Sequence, residues 1–160
     1  LDMSLPERFN LSYIDENNEK QRPFMIHRVI YGSIERFFGI LIEHFAGKFP
    51  LWMPPMQTIL LPINDDLVSH ANDVKVMLEN AGLRTEVDSR TESLNKKVRD
   101  AQLDNIPLIL TIGAKEKKSK TLSVRTLDGN VRFGVSHEEF LEKVLSHVRE
   151  RKLDFNLFIA

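Results

Sequence analysis

The chain has 160 residues, of which 42% are hydrophobic and 28% charged, with a formal net charge of −1. That is enough apolar material for an ordinary core, and it carries no whole-chain signature of nucleic-acid binding, so any such role must come from a local cluster of basic residues. There is no cysteine, hence no disulfide or thiol chemistry, and no apolar run approaches the roughly 18 residues of a membrane span, so the expectation is a soluble, cytoplasmic protein with no membrane contact.

Leu1 to Pro23 carries no core of its own. Alternation over Phe9 to Tyr13 predicts a strand, and Asp15-Glu-Asn-Asn-Glu-Lys20 a polar turn, which together suggest a hairpin. Phe24 to Tyr31 is rich in β-branched and apolar residues, as a buried strand would be. Gly32 breaks it and Ser33 is a good N-cap for a helix with Ile34, Phe37, Phe38, Leu41 and Phe45 at three- and four-residue steps. A hairpin and one helix cannot bury both faces of a sheet, so residues 1–50 are expected to be the end of a larger domain that looks cut on its N-terminal side. The N-terminus of this helix, with Ser33 and Arg36 in its first turn, offers unpaired N–H groups and a guanidinium fork to an anion. His27 lies on the apolar strand, where a lone histidine is by default a hydrogen-bonded core residue.

Pro50-Leu-Trp-Met-Pro-Pro55 has three prolines in six residues, cannot continue a helix and marks a boundary, with domains at 1–52 and 53–160. Beyond it, Gln57 to Ile63 reads as a buried strand. Asp65 can cap a helix with Leu67, Ala71, Val74, Leu78 and Ala81 on one face, and Gly82 ends it. Leu83 to Val87 is a second strand. A helix from Ser93 turns Leu94, Val98 and Ala101 inward and Lys96, Lys97 and Arg99 towards solvent, and Pro107 to Ile112 is a third strand. Strand–helix repeats of this size imply right-handed crossovers and a parallel sheet. Thr121 to Leu127 and Val131 to Val135 flank Asp128-Gly129-Asn130, a tight-turn signal that adds antiparallel strands. Ser136-His-Glu-Glu139 is a capping box for a last helix burying Phe140, Leu141, Val144 and Val148. The fold class is α/β, with a mixed, mostly parallel sheet flanked by helices.

Residues 90–125 hold nine basic residues against four acidic ones, a local excess of five. Lys96, Lys97, Lys115, Lys117 and Lys118, on a helix face and a lysine-rich loop, are candidate partners for an RNA backbone through counterion release. An arginine can pair with the O6/N7 edge of guanine and a carboxylate can accept from its N1 and N2 groups, so Arg125 and Glu116 are a plausible reader of one base.

His27-Arg28, Gly32-Ser33-x-Glu35-Arg36 entering an aromatic helix, Gly47-x-x-Pro50-x-Trp52 and Pro55-x-Gln57 resemble the third motif and following junction of class II threonyl-tRNA synthetases. The resemblance continues to about residue 152 through the anticodon-binding domain, and the two earlier class II motifs have no counterpart here. It implies a threonine–tRNA ligase that activates threonine with ATP and Mg as a homodimer in its full form, and a fragment that binds the anticodon arm of threonine tRNA without catalysing anything alone. By the same resemblance, Arg36 contacts the terminal phosphates of ATP and Ser33 lines the adenylate site. His27 is a zinc ligand whose two companions lie upstream, with zinc expected to be absent from this fragment. Thr91, Arg99, Glu116 and Arg125 match positions that contact a guanine and a uracil of the anticodon. Thr91 departs from the asparagine of the bacterial pattern, and Asn95 could substitute from the next turn. The alternatives are another class II synthetase with this module (prolyl, histidyl or glycyl) and a non-enzymatic RNA-binding paralogue. The Gly-Ser-x-Glu-Arg spacing and retention of His27, Ser33 and Arg36 disfavour both.

Overall fold

The structure, a computed structural model, describes residues 1–158. Two compact units divide between Leu41 and Ile42, ahead of the proline-rich segment at which the sequence places its domain boundary.

In the first unit a short helix α1 (Ser4–Arg8), absent from the sequence expectation, precedes a minimal antiparallel hairpin of β1 (Tyr13–Ile14) and β2 (Lys20–Gln21). Asp2 nucleates that helix, its Oδ1 accepting from the N–H groups of Ser4 and Leu5. The strand expected over Phe9 to Tyr13 therefore shrinks to its last residue, because Phe9 ends α1 and Asn10 turns the chain with φ 49°. The strand expected over Phe24 to Tyr31 does not form. Only an isolated bridge joins Asp2 to Met25, and Phe24, Ile26, Val29, Ile30 and Tyr31 are 64–76% exposed. Strand composition is present, but a strand is made by its neighbours, and among the described residues no ladder runs beside this segment to pair its backbone groups.

Helix α2 (Ile34–Phe45) forms as predicted, with Ser33 Oγ accepting from the Arg36 N–H at 3.4 Å. It buries no residue, so the broad apolar face that the spacing predicts stays open.

The second unit is an α/β domain on a five-stranded sheet ordered β4-β3-β5-β6-β7. The strands are β3 (Thr58–Pro62), β4 (Thr85–Val87), β5 (Leu108–Ile112), β6 (Thr121–Thr126) and β7 (Val131–Ser136). Strand β3 pairs in parallel with β4 and β5, while β5–β6 and β6–β7 are antiparallel. The crossover helices are α3 (Val68–Asn80), entered through a 3-10 turn at Asp65–Leu67, and α4 (Leu94–Leu103). Gly82 ends the first crossover helix with φ +91°, a conformation that side chains disfavour. A short α5 (Ala114–Ser119) and the final α6 (His137–Arg149), N-capped by Ser136 Oγ, complete the order.

Alternation along the strands sorts the core. Leu60, Leu108, Leu110, Leu122 and Val124 pack against α3 and α6 on one face, whereas Leu61 and Ile109 meet Ala101 of α4 on the other. Leu51 of the proline-rich segment is fully buried in the larger core. Buried Gln57 holds it there, donating from Nε2 to the Leu51 carbonyl at 2.8 Å and accepting at Oε1 from the Arg84 N–H at 3.0 Å. Phe155, Leu157 and Phe158 also return to this core after α6, an arrangement the sequence does not announce.

Candidate nucleic-acid interface

Between α4 and the facing side of β5, β6 and β7 lies an open pocket of about 300 Å³. Glu116 reaches it from α5. Its Oε2 accepts from the Gly113 N–H at 3.1 Å and its Oε1 from the Ser123 hydroxyl at 3.0 Å. Those two bonds hold the carboxylate in place while leaving further lone-pair sites for a ligand's donors. Arg125 lies two residues beyond Ser123 on β6, so period 2 puts it on the same face, and it lines the same pocket. Among the described residues Arg125 makes no ion pair within 4.0 Å. A fixed acceptor and an uncommitted guanidinium fork are thus brought together, as the sequence predicted for these two residues.

The pocket also contains a residue that sequence reasoning missed. Leu122 pairs with Val135 but Val124 pairs with Arg132, so β7 carries one residue more than β6 across this stretch. The extra residue is a bulge, and Gly134 supplies its left-handed backbone with φ +71°. Regular alternation would place Val131, Phe133 and Val135 on one face. The bulge instead buries Val135 in the core and leaves Phe133, 75% exposed, beside Val131 in the pocket. Gly134 within an apolar strand pattern is the one signal that could have flagged it.

Asn95 lines the same pocket, and Arg99 is exposed one turn along α4 from it. Thr91 is elsewhere. With Asn64, Asp65, Arg90 and Lys97 it lines a separate open cleft of about 540 Å³ at the C-terminal ends of β3 and β4. Lys97 corrects the sequence reading, for it is 4% exposed and does not face solvent. Its Nζ donates to the carbonyls of Asp88 at 3.0 Å and Pro62 at 3.5 Å, because the helix turns this position towards the sheet edge where two chain carbonyls lack strand partners. Lys115, Lys117 and Lys118 are exposed as expected, but on α5 rather than on a loop, with Lys120 closing that helix at φ 53°. Lys96 is exposed and pairs with Glu92.

Arg90 is withdrawn from the basic cluster by Asp88 at 2.7 Å and Asp100 at 3.0 Å. The Arg90 guanidinium is the main reason the Asp88 carboxyl is held below its ordinary value. A depressed carboxyl stabilises the fold above the unfolded value of about 3.9 and loses that contribution as pH falls through the folded value. Asp88→Asn is therefore expected to cost at most about 1 kcal/mol at pH 6, since Arg90 is half exposed, and progressively less as pH falls below about 3.9. Urea midpoints of both chains across that range check this, and a difference constant with pH would contradict it.

In the first unit, Ser33 Oγ also donates to Glu35 at 2.6 Å, which keeps that carboxyl below its usual range. Arg36 is exposed in the same turn. His27 is exposed too, its Nε2 3.0 Å from Asp2 Oδ2. No three His, Cys, Asp or Glu side chains gather into a metal site among the described residues. His27 and Asp2 alone do not make a structural zinc site, which needs four ligands.

No helix among the described residues is long and apolar enough to cross a membrane. The family model described as "Anticodon binding domain" matches residues 57–147. A threonine–tRNA ligase of Desulfosudis oleivorans is 68% identical over 151 residues, which are 94% of this chain and 24% of that protein. The chain thus spans about a quarter of the length of this curated relative. Among solved structures, the RNA binding domain of threonyl-tRNA synthetase from Cryptosporidium parvum Iowa II aligns with a TM-score of 0.67 and 33% identity over 91% of this chain and 37% of its own. Prolyl-tRNA synthetase from Cryptosporidium parvum aligns with a TM-score of 0.62 over 91% of this chain and 31% of its own; at 17% identity it shares the fold alone. With an α/β sheet of this topology, a match over most of that sheet and threonine–tRNA ligases as relatives along nearly its whole length, the chain belongs to the anticodon binding domain family.

Proposed function

We propose that this chain is the anticodon-reading end of a threonine–tRNA ligase. The observation that carries the reading is the meeting of Glu116 and Arg125 in one pocket, from α5 and β6. An unpaired guanine entering that pocket would offer O6 and N7 to the Arg125 fork and its N1 and N2 donors to the Glu116 carboxylate. Either group alone tolerates other bases; the pair selects guanine. Arg99, Lys115, Lys117 and Lys118 surround the pocket elements with positive charge suited to the loop's phosphates. Thr91, in the neighbouring cleft, would meet a different base from the one that Asn95 flanks.

In the longer protein this reading implies, residues 1–52 belong to the catalytic domain and 53–160 to the anticodon-binding domain. The whole enzyme would activate threonine with ATP and transfer it to tRNA as a cytoplasmic homodimer. Arg36 would balance charge on the terminal phosphates while Ser33 lines the adenylate site. His27 would be one ligand of a zinc completed by residues of other segments.

Binding to a threonine anticodon stem-loop tests the proposal, beside a stem-loop with the guanine replaced by adenine and beside Arg125→Ala. Each change is expected to weaken binding by about 1–3 kcal/mol, with raised salt weakening all pairs together. Equal affinity for both stem-loops would leave only a nonspecific electrostatic patch.

A further inference from the structure

We propose that Phe133 is a stacking residue, its ring covering the face of the same nucleobase whose edge Glu116 and Arg125 hold. The inference rests on the anticodon reading above and deepens it.

The pocket keeps its charged groups and its apolar walls on different elements. Its charged groups, Glu116 and Arg125, come from α5 and β6, with the hydroxyls of Ser123 on β6 and Thr111 on β5 beside them, and Asn95 adds an amide from α4. Its apolar groups stand on the two sides, Leu94 and Val98 on α4 and Val131 and Phe133 on β7. A flat ligand with polar edges and apolar faces satisfies that arrangement by entering edge-first between helix and strand. An unpaired base has that shape, and aromatic side chains are the usual platforms for it because every base presents a π-face.

Three features mark Phe133 as built for this. The ring is 75% exposed in a domain that buries Phe140, Phe155 and Phe158, so core packing does not account for it. The bulge that exposes it also turns Val135 into the core, and a regular strand would place both residues on one face. The bulge lies opposite Ser123, between the Leu122 and Val124 pairings, so Phe133 is aimed at the base-reading face of β6 and not at the sheet's outer edge. An RNA base suits the surroundings better than a protein segment does, since the uncommitted charges nearby, Arg99, Arg125, Lys115 and Lys117, favour phosphates.

The test is a double-mutant cycle with the 160-residue chain and synthetic anticodon stem-loops. It combines Phe133→Ala with an abasic nucleotide in place of the guanine. Phe133→Ala is expected to weaken the native stem-loop about 5- to 150-fold and the abasic one less than about 2-fold, without altering the salt dependence. Phe133→Trp should retain or tighten native binding, and Phe133→Leu should fall between. A loss equal on native and abasic RNA, or no loss on either, overturns the stacking role, and the second result would assign the exposed ring to a protein contact. If Arg125→Ala and the guanine-to-adenine change still weaken binding in that case, the anticodon reading stands without Phe133. If neither does, both fall.

Discussion

Phe140→Ala is expected to lower the unfolding free energy of the second unit by about 3–5 kcal/mol. Phe140 is fully buried between α6 and the sheet, and Phe158 stacks on it with ring centroids 5.9 Å apart. Truncation leaves a cavity and takes away the surface against which the returning segment Phe155–Phe158 packs, so a helix and a tail loosen together. Phe133→Ala removes the same atoms from an exposed position and should change stability by less than about 0.5 kcal/mol. Chemical denaturation followed by the fluorescence of Trp52, the only tryptophan, isolates the second unit. A Phe140→Ala midpoint within about 1 kcal/mol of the parent would mean that α6 and the tail do not depend on this contact.

The second large effect is expected at Lys97. Lys97→Ala should cost about 2–4 kcal/mol of stability, because it strips a buried stem from under α4 and leaves the carbonyls of Asp88 and Pro62 without their donor. Lys97→Met keeps the stem and loses only the donor, so it should cost about half as much or less. The contrasting outcome is informative. If Lys97→Ala unfolds at the parent's midpoint while losing affinity for every stem-loop alike, Lys97 is a solvent-facing phosphate partner after all. Lys115→Ala and Lys118→Ala, on exposed positions of α5, are the reference for a purely electrostatic loss.

These residues show how far the sequence could be read and why it stopped. Local rules act within a few residues, and what depends on them was legible. The crossover helices and the apolar residues of their inward faces, the tight turn after β6, the Ser33, Ser93 and Ser136 caps and the end of α3 at Gly82 all stand as expected. Glu116 and Arg125 could be paired from sequence because adjacent strands and a short connection leave few other arrangements. Two misreadings and one omission have one cause. Phe24 to Tyr31 has strand composition but no described ladder, Lys97 looks solvated but meets carbonyls at the end of β3 and just after β4, and Phe133 went unremarked because the bulge that parts it from Val135 depends on the pairing with β6.

The amino-acid sequence by itself determined the class of fold, the order of the five strands and three long helices of the second unit, the location of the basic cluster and the closeness of Glu116 to Arg125. Each of these follows from periodicity, capping and the chemistry of single side chains. Tertiary structure alone decided which lysine is buried, which phenylalanine faces the pocket, and that Thr91 and Asn95 line different clefts. Such outcomes turn on strand register and on backbone carbonyls supplied by distant segments, and neither leaves a local pattern in the chain that donates the side chain.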